Sequence, residues 1–346
     1  MKKISVGVLG ATGSVGQKFI QLLANHPFFE VTEIGASENS AGKIYGTHIN
    51  WFLEGDVPEK IRKKEIKACE PGLDCRLVFS GLDARVAGGV ETTFAEAGYI
   101  VVSNSRNHRY DRDVPLLVPE INPDHLELLN IQKYGKGKII TNPNCSTIGL
   151  ALALKPLVDR FGLEVVNVVT LQALSGAGYP GLSGLSVLEN VVPHIAGEEE
   201  KMEKEPLKIL GKFNKDRIDP LQLTISAQCN RVPVIDGHTE SVQINLKEKT
   251  SPEVLIEAWQ NFTGKPQKLK LPSAPDQPIH YFNRPDYPQP RLHRMLDKGM
   301  SVSIGNLRSC PIFDYKFTIL SHNTIRGAAG GAILCAELLR AEGWFD

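Results

Sequence analysis

The chain has 346 residues, of which 42% are hydrophobic and 23% are charged, the usual balance for a globular protein large enough for two domains. Lys plus Arg and Asp plus Glu number 39 each, and this neutral balance argues against a polyanionic partner such as nucleic acid. The first apolar run is too short for a signal peptide, and no stretch reaches the length of a membrane span. We therefore expect a cytoplasmic protein that binds neither nucleic acid nor a membrane.

The first part of the chain alternates predicted strands with predicted helices. Helical spacing predicts helices over residues 17–24 and 84–97. Apolar, β-rich runs predict strands at Ile4–Leu9, Phe29–Ala36, Leu77–Ser80, Tyr99–Val102 and Lys138–Thr141. This alternation predicts a parallel sheet covered on both faces, as in a Rossmann-type doubly wound domain. We place this α/β domain, which we expect to bind NADP, at residues 1–145.

The pattern changes after residue 145. One long helix is predicted over residues 146–161, and a Pro-rich stretch from Pro272 to Pro290 is interpreted as a surface excursion. Alternating runs predict strands at Glu164–Leu171, Leu221–Val234, Thr239–Leu246, Ser301–Leu307 and Tyr315–Ser321. These runs predict an α+β domain over residues 146–324 with a mostly antiparallel sheet. The last segment, 325–346, begins with a predicted helix over residues 325–341, which we expect to return to the first domain and close the nucleotide site.

A glycine-rich turn follows the first predicted strand directly. Gly10, Gly13 and Gly16 are spaced as G-x-x-G-x-x-G, so the backbone can approach a pyrophosphate whose charge the free N–H groups of the next helix receive. A tight turn without a ligand is the alternative, but the position after the first strand favours a nucleotide. The candidate cofactor residues here are Gly10, Thr12, Gly13, Ser14 and Val15.

The end of the second predicted strand bears on the choice of dinucleotide. NAD-binding folds usually carry an acidic residue there, which holds the ribose 2′-hydroxyl. Here Ser37, Ser40 and Lys43 follow the strand, and two hydroxyls with a cation suit the 2′-phosphate of NADP better. Glu38 is a competing candidate that would favour NAD. The sequence therefore favours NADP(H), with Ser37 and Ser40 as ligands.

One of the six cysteines lies in a context that can activate a thiol. Cys145 follows Pro143 and Asn144 directly before the long predicted helix, where unpaired N–H groups and the helix dipole favour a thiolate. A thiolate is a good nucleophile for an acyl or aldehyde carbon. The alternative is a small apolar residue at a helix cap, an interpretation that fits the other five cysteines.

The segment Thr141–Thr147, with the sequence TNPNCST, resembles the active-site segment of the aspartate-β-semialdehyde dehydrogenases, particularly those of archaea and fungi. The resemblance extends over nearly the whole chain. Its further motifs are residues 10–16 (GATGSVG), 103–105 (SNS), 114–120 (VPLLVPE), 171–181 (LQALSGAGYPG), 236–241 (DGHTES) and 322–331 (HNTIRGAAGG).

The resemblance implies an activity and an assembly. The activity is the NADPH-dependent conversion of L-aspartyl-4-phosphate to L-aspartate 4-semialdehyde through a thioester on Cys145, in lysine, threonine and methionine biosynthesis. The reverse reaction requires inorganic phosphate. The resemblance also implies a homodimer or homotetramer, in which the sheet of the second domain is the contact surface.

The resemblance further implies a role for individual residues. His238 serves the carbonyl oxygen and assists Cys145, which suits a side chain that exchanges protons near neutral pH. Gln172 positions the acyl group, and Asn144 helps to stabilise the oxyanion. Arg231 grips the substrate carboxylate, for which a guanidinium fork is well suited.

A second group of residues is implied for the phosphate and the cofactor. Arg109 matches the phosphate-binding arginine, with Arg106 as a rival in the same loop. Glu198 and Lys201 match a pair that contacts the substrate amino group and the phosphate, although Glu199 and Glu200 leave the register open; by composition alone this run is typical of a solvated helix face. Ser175, Gly176 and Asn323 are expected near the nicotinamide. No His/Cys/Asp cluster has metal-ligand spacing, so no metal is expected.

Two alternatives stay open. A malonyl-CoA reductase would use the same cysteine thioester with a CoA leaving group, although the intact Asn-Pro-Asn-Cys-Ser-Thr segment and Arg231 favour the aspartyl substrate. A non-catalytic NADP-binding protein would keep the fold and leave Cys145 unreactive.

Overall fold

The computed structural model describes residues 3–345, which form two units, each built on one sheet. In the first unit the strands are β1 (Ile4–Leu9), β2 (Phe29–Ala36), β3 (Lys67–Ala68), β4 (Leu77–Ser80), β5 (Ile100–Ser103) and β6 (Lys138–Thr141). Its helices are α1 (Ser14–Leu23), α2 (Tyr45–His48), α3 (Glu59–Arg62) and α4 (Ala84–Glu96), with a 3-10 helix at Pro123–Asn130.

The first sheet has the strand order β3-β2-β1-β4-β5-β6, and all its pairings are parallel. Every residue of β4 and β5 is buried, because helices cover both faces of the sheet. The predicted doubly wound parallel sheet is therefore confirmed. Its strands end at one edge, so the loops that follow β1, β4, β5 and β6 face the same cleft.

The second unit contains the remaining strands and most of the remaining helices. Its strands are β7 (Leu163–Gln172), β8 (Lys212–Asn214), β9 (Arg217–Asp219), β10 (Thr224–Arg231), β11 (His238–Leu246), β12 (Ile279–Phe282), β13 (Val302–Ser309) and β14 (Tyr315–Ser321). Its helices are α5 (Thr147–Phe161), α6 (Gly184–Val187), α7 (Glu198–Ile209), α8 (Pro252–Gln260), α9 (Lys265–Lys268) and α10 (Pro290–His293). Single 3-10 turns lie at Leu174–Ala177 and Leu296–Gly299, a π-helix at Ile325–Ala329, and the last helix is α11 (Gly330–Ala341).

The second sheet is mixed, with the strand order β10-β7-β11-β14-β13-β12. The three inner pairings are antiparallel, as predicted, whereas each edge strand, β10 and β12, runs parallel to its neighbour. The strand β12 lies inside the Pro-rich stretch that the sequence assigns to a surface excursion. Four residues between prolines carry too little alternation to reveal an edge strand.

Three hydrophobic cores pack on the two sheets, and one of them, with Val78, Phe94 and Val101, covers one face of the first sheet. In the first core, Ile333 and Leu334 of α11 pack with Phe19 of α1 and Phe79 of β4, so the last helix packs against the first sheet. The second core surrounds α5 and includes Trp259. Within residues 3–345, no helix combines the length and the apolar character that a membrane crossing requires.

Candidate active site

The glycine-rich turn joins β1 to α1 tightly and leaves the helix start open. A Cβ on Gly16 would lie 2.1 Å from the Gly10 carbonyl oxygen, so this close approach requires glycine. Gly13 is the N-cap of α1, where no side chain caps the helix and its first turn carries no acidic residue. The first N–H groups of α1 are therefore available to an anion, as a pyrophosphate site requires.

The turn after β2 holds the residues predicted to contact a 2′-phosphate. Ser37 and Lys43 are exposed and Ser40 is buried. The Ser37 carbonyl accepts the Ser40 N–H at 2.8 Å, and Lys43 Nζ donates to the Asn39 carbonyl at 2.6 Å. Glu38 is exposed beside them, so the turn itself presents both the hydroxyl candidates and the acidic one.

A cavity of about 650 Å³ lies between the two units and brings most of the other predicted residues together. Gly178 of the second unit lies over the end of the glycine-rich turn, since its Cβ position is 3.8 Å from Ser14 Oγ at the start of α1. The predicted residues that line the cavity are Ser14, Val15, Arg109, Asn144, Cys145, Gln172, Ser175, Gly176, Glu198, Lys201 and Asn323. Those outside the lining are Gly10, Thr12, Gly13, Ser37, Ser40, Arg231 and His238.

Cys145 and His238 form a pair at this cavity. Cys145 lies in the loop between β6 and α5, and His238 is the first residue of β11. Their Sγ and Nε2 atoms are 3.2 Å apart. A Cβ on Gly176 would lie 3.3 Å from His238 Nε2 and 2.8 Å from Arg231 Nη1, so the loop after β7 rests directly on both side chains.

The surroundings of His238 fix its protonation. The backbone N–H of Ala173 donates to Nδ1 at 3.0 Å, so in the neutral ring the proton lies on Nε2 and points at the sulfur. Burial, followed by the charges of Arg231 and His322, lowers the pKa of His238 to about 3. The ring is therefore a neutral hydrogen-bond donor to Cys145 at physiological pH.

Two opposing influences act on the Cys145 thiol. Burial raises its pKa, and the Glu198 carboxylate acts in the same direction, whereas Lys201, Arg231 and Arg109 favour the thiolate. The helix N-terminus alone predicts a lowered pKa, so desolvation of the sulfur outweighs it here.

Cys310 differs from the expectation that it lacks an activating context. The backbone N–H groups of Phe313 and Ile312 lower the pKa of this thiol. By contrast, burial raises the pKa of Cys75 to about 12 and that of Cys229 to about 11. Cys310 lies outside the cavity lining, so the lowered pKa of this thiol belongs to a position away from the site.

One face of α7 carries the charged groups at the cavity. Lys201 Nζ lies 2.5 Å from Glu198 Oε1, and Glu198 Oε2 accepts from Gln172 Nε2 at 3.4 Å. Glu199 turns away and accepts the Cys229 N–H, while Glu200 pairs with the exposed Lys204. Of the three adjacent acids, the helix register therefore brings Glu198 to the cavity.

Asn144, in the loop between β6 and α5, forms hydrogen bonds to both α5 and α7. Its Oδ1 accepts the N–H groups of Ser146 at 2.9 Å and Thr147 at 3.3 Å, and so satisfies two backbone donors at the start of α5. Its Nδ2 donates to Glu198 Oε2 at 2.9 Å, and its backbone N–H donates to Glu205 Oε2 at 2.7 Å. The sequence interpretation missed Glu205, although seven residues after Glu198 on one helix is same-face spacing.

Three arginines approach the cavity in different ways. Arg109 is buried, donating from Nη1 to Glu205 at 2.7 Å and from Nη2 to the Asn104 carbonyl at 2.9 Å. Arg231 donates to the Ala173 carbonyl at 2.6 Å. Arg106 lines the cavity and is exposed, and its backbone carbonyl accepts the Arg109 N–H at 3.3 Å.

The π-helix closes the cavity beneath the sulfur. A Cβ on Gly327 would lie 2.8 Å from the Cα, Cβ and carbonyl oxygen of Cys145, so this backbone packs directly on Cys145. Asn323 donates to Ser175 Oγ at 2.7 Å and accepts the Gly237 N–H at 2.9 Å. Asn323 thus connects the loop after β7 with the turn before β11. In the described part of the chain, no three metal-binding side chains cluster.

Two family models match the chain. Residues 5–129 match the semialdehyde dehydrogenase NAD binding domain, and residues 154–326 match the semialdehyde dehydrogenase dimerisation domain. The aspartate-semialdehyde dehydrogenase of Archaeoglobus fulgidus is 48% identical over 98% of this chain and 99% of its own length. That of Candida albicans is 48% identical over 97% of this chain and 98% of its own.

Solved structures show the same similarity. The Candida albicans aspartate semialdehyde dehydrogenase, crystallised with NADP, superposes with a TM-score of 0.91 at 44% identity, covering 99% of this chain and 100% of the other. The aspartate semialdehyde dehydrogenase II of Vibrio cholerae, solved in complex with ASA, gives 0.78 at 26% identity over 99% and 100%.

Proposed function

The chain belongs to the aspartate-semialdehyde dehydrogenase family, and on that premise we propose that it converts L-aspartyl-4-phosphate to L-aspartate 4-semialdehyde with NADPH, reversibly, through a thioester on Cys145. The observation that carries this proposal is the 3.2 Å contact between Cys145 Sγ and His238 Nε2 at a cavity that also includes the nucleotide loop. A nucleophile and a hydride donor can meet in such a cavity. The reaction serves lysine, threonine and methionine biosynthesis.

The residues present fit NADP(H). The uncapped start of α1 offers N–H groups to the pyrophosphate, and Ser14 and Val15 line the same cavity as Cys145. The residue directly after β2 is Ser37 and not an acidic residue, and Ser40 follows three positions later. We assign both serines to the 2′-phosphate. Ser175, Gly176 and Asn323 lie at the other end, beside the sulfur, where we place the nicotinamide.

The substrate is held by charges of both signs. We assign its carboxylate to Arg231, its amino group to Glu198, and its phosphate to Arg109 and Lys201. Lys201 and Arg109 are each already paired with a carboxylate of α7, so these cations are fixed in place before the substrate arrives. Preorganised charges of this kind cost no reorganisation during the reaction.

The chemistry begins at the sulfur. The Cys145 thiolate attacks the acyl carbon, Gln172 positions that group, and backbone N–H groups with Asn144 stabilise the oxyanion. Collapse of the adduct breaks the C–O bond to phosphate and leaves the thioester. NADPH, when bound, supplies the hydride that reduces it. The Nε2–H of His238 then donates a hydrogen bond to the new oxyanion, whose collapse releases the aldehyde and restores the thiolate.

The decisive assay follows NADPH formation from L-aspartate 4-semialdehyde and NADP, with and without inorganic phosphate. We expect phosphate-dependent formation, no NADPH oxidation with malonyl-CoA, and no turnover in the Cys145→Ser variant, because a serine hydroxyl is a far weaker nucleophile. Oxidation of NADPH by malonyl-CoA would identify a CoA-thioester reductase instead. Binding of NADP without either reaction would identify the non-catalytic alternative.

The family model that matches residues 154–326 describes a dimerisation domain. We propose that this chain forms a homodimer through the face of the second sheet opposite α5. Leu171 of β7 is 41% exposed on that face, and the segment that follows exposes Leu182, Leu185, Leu188 and Val191. Exposed apolar groups at this density are typical of an interaction surface. The cytoplasmic location stays a prediction from the sequence.

A further inference from the structure

The helix α7 brings a second acidic residue, Glu205, to the site, two helical turns after Glu198. Glu205 is completely buried, with 0% of its surface exposed. Seven residues separate it from Glu198, which is two helical turns, so both carboxylates project from one face of the helix. Glu205 lies outside the cavity lining, and it acts on the site through Arg109, with which it forms an ion pair.

Its two oxygens join two parts of the site that are far apart in the sequence. Oε1 accepts from Arg109 Nη1 at 2.7 Å, and Oε2 accepts the backbone N–H of Asn144 at 2.7 Å. Arg109 is the cation assigned to the phosphate, and Asn144 directly precedes the nucleophile Cys145. We propose that Glu205 is a positioning residue that fixes the phosphate-binding guanidinium relative to the reactive sulfur. This inference rests on the proposed function.

Only an ionised carboxylate of this length satisfies both partners. Arg109 Nη1 and the Asn144 N–H are both donors, so the bridging group must accept on each side. A glutamine would place its NH2 group against one of these donors, and an aspartate is one methylene too short to reach both. The charge of Arg109 offsets that of the buried carboxylate, as a buried ion requires.

The bridge also leaves a defined part of Arg109 for the phosphate. With Nη1 on Glu205 and Nη2 on the Asn104 carbonyl, the guanidinium cannot rotate. Its buried Nε has no hydrogen-bond partner within residues 3–345. Because Nε is shielded from solvent, we place the phosphate at the second N–H that each terminal nitrogen retains, on the side where Arg109 lines the cavity. Loss of Glu205 should therefore weaken the binding of phosphate in particular.

The test compares Glu205→Gln with the wild-type chain in the phosphate-dependent direction. We expect the KM for phosphate to rise about tenfold or more, equivalent to about 1.4 kcal/mol, while the KM for NADP changes less than about twofold. Inorganic phosphate should raise the Tm of the wild-type chain and leave that of Glu205→Gln unchanged. The control is Glu257→Gln, which removes an exposed acid of α8 that lies 3.7 Å from Arg160; it should behave as wild type in both measurements.

A purely structural role for Glu205 predicts another result. Glu205→Gln would then raise the KM values for phosphate and NADP alike, and that pattern overturns the inference. A lower Tm is expected of either role, because the change leaves the buried charge of Arg109 unpaired. If Glu205→Gln does not fold, Glu205→Asp retains the charge but cannot bridge, and the same phosphate-selective loss is required of it. If the wild-type chain forms no NADPH, the proposed function fails, while the phosphate-dependent rise in Tm still tests the bridge.

Discussion

The reactivity of Cys145 is set by the balance of buried charges around its sulfur. Glu198 raises the pKa of the thiol and Lys201 lowers it, although the two side chains form one ion pair. Each acts on the sulfur with the opposite sign, because an anion disfavours a second anion nearby and a cation favours it. Substitutions at the two ends of this pair should therefore shift thiol reactivity in opposite directions.

We expect Glu198→Gln to speed the alkylation of Cys145 at pH 7 and Lys201→Met to slow it, each by about tenfold for one unit of pKa. The rate is measured with iodoacetamide by peptide mass spectrometry, which separates Cys145 from Cys310. Lys204→Met is the matched control, since Lys204 pairs with Glu200 in solvent on the same helix. Rates that shift in the same direction in both variants would contradict this electrostatic account.

His238 should not titrate in the working range of the enzyme. Burial lowers its pKa to about 3, so the ring stays neutral at every pH above about 4, whereas the raised pKa of Cys145 places thiol ionisation on the alkaline side. We expect kcat/KM to rise with pH from 6 to 9 without an inflection between pH 5 and 7. An inflection there that disappears in His238→Asn would show instead that the imidazole exchanges a proton during turnover.

The same variant measures the size of the His238 contribution. Removal of the Nε2–H donor should reduce kcat by about 100- to 1,000-fold, the usual range for loss of one hydrogen-bond donor to an oxyanion. Cys145→Ser should lose all measurable turnover under the same conditions. If His238→Asn retained wild-type kcat, the hydrogen bond at 3.2 Å would have no part in the reaction.

The sequence could identify which side chains enter the site but not the bonds that hold them. Cys145 and His238 stand in recognisable segments, so the resemblance located both of them. The hydrogen bond from the Ala173 N–H to His238 Nδ1 is donated by a backbone group, so the residue type at position 173 does not reveal it. Glu205 lies in a charged run whose composition is typical of a solvated helix, and only the packing of α7 against α5 reveals that this acid is buried.

At the scale of elements, the π-helix Ile325–Ala329 can pack against Cys145 only because Gly327 has no side chain. Gly327 lies against the backbone of Cys145, and a methyl group there would be 2.8 Å from three of its atoms. Because backbone atoms cannot swing aside, Gly327→Ala must displace the nucleophile loop or the π-helix itself. Overpacking of this kind costs about 1–3 kcal/mol.

We therefore expect Gly327→Ala to lower the Tm and to reduce kcat by at least about tenfold. The matched control is Gly89→Ala in α4, where an added Cβ would meet no atom within 4 Å and the position is exposed. That change should stabilise the fold by about 0.5–1 kcal/mol, because alanine is the better helix former. Equal Tm and kcat in Gly327→Ala and the wild type would show that the close contact is not needed.

The elements that the sequence predicted well are those with a strong burial pattern. The bounds of β1, β2, β4, β6 and β14 agree with the predicted runs, because each is an apolar or alternating segment between clear turn residues. The predicted strand Leu221–Val234 is longer than β10 (Thr224–Arg231), since apolar residues continue into the flanking loops. The two-residue strand β3 and the hairpin of β8 and β9 are too short to produce any periodicity.

The last helix was predicted as one element from Ile325 to Ala341, whereas the structure divides it into a π-helix and α11. The division occurs at Ala328, whose backbone angles are not helical. Gly327, Gly330 and Gly331 lie on either side of it, where bulkier residues would contact Cys145, Met300 or Asn142. Contacts from three other segments therefore impose the irregularity, and a local pattern of apolar residues cannot reveal it.

At the scale of the whole molecule, the exposed apolar residues are distributed unevenly. Leu185 is 95% exposed and Leu188 is 66% exposed in the segment beyond β7, close to the cavity end of the second sheet. Ile312 is 81% exposed, but it lies in the turn between β13 and β14, at the opposite end of that sheet. These two places allow an interface to be tested against a matched surface change.

We expect the wild-type chain to elute in light-scattering chromatography with about twice the monomer mass of 38.0 kDa, or four times that mass if dimers pair. The double variant Leu185→Asp/Leu188→Asp should shift the population toward monomer, because an interface core tolerates buried unpaired charge poorly. Ile312→Asp should keep the wild-type mass. A wild-type monomer at micromolar concentration, or a shift that Ile312→Asp produces equally, would exclude the segment after β7 from the subunit contact.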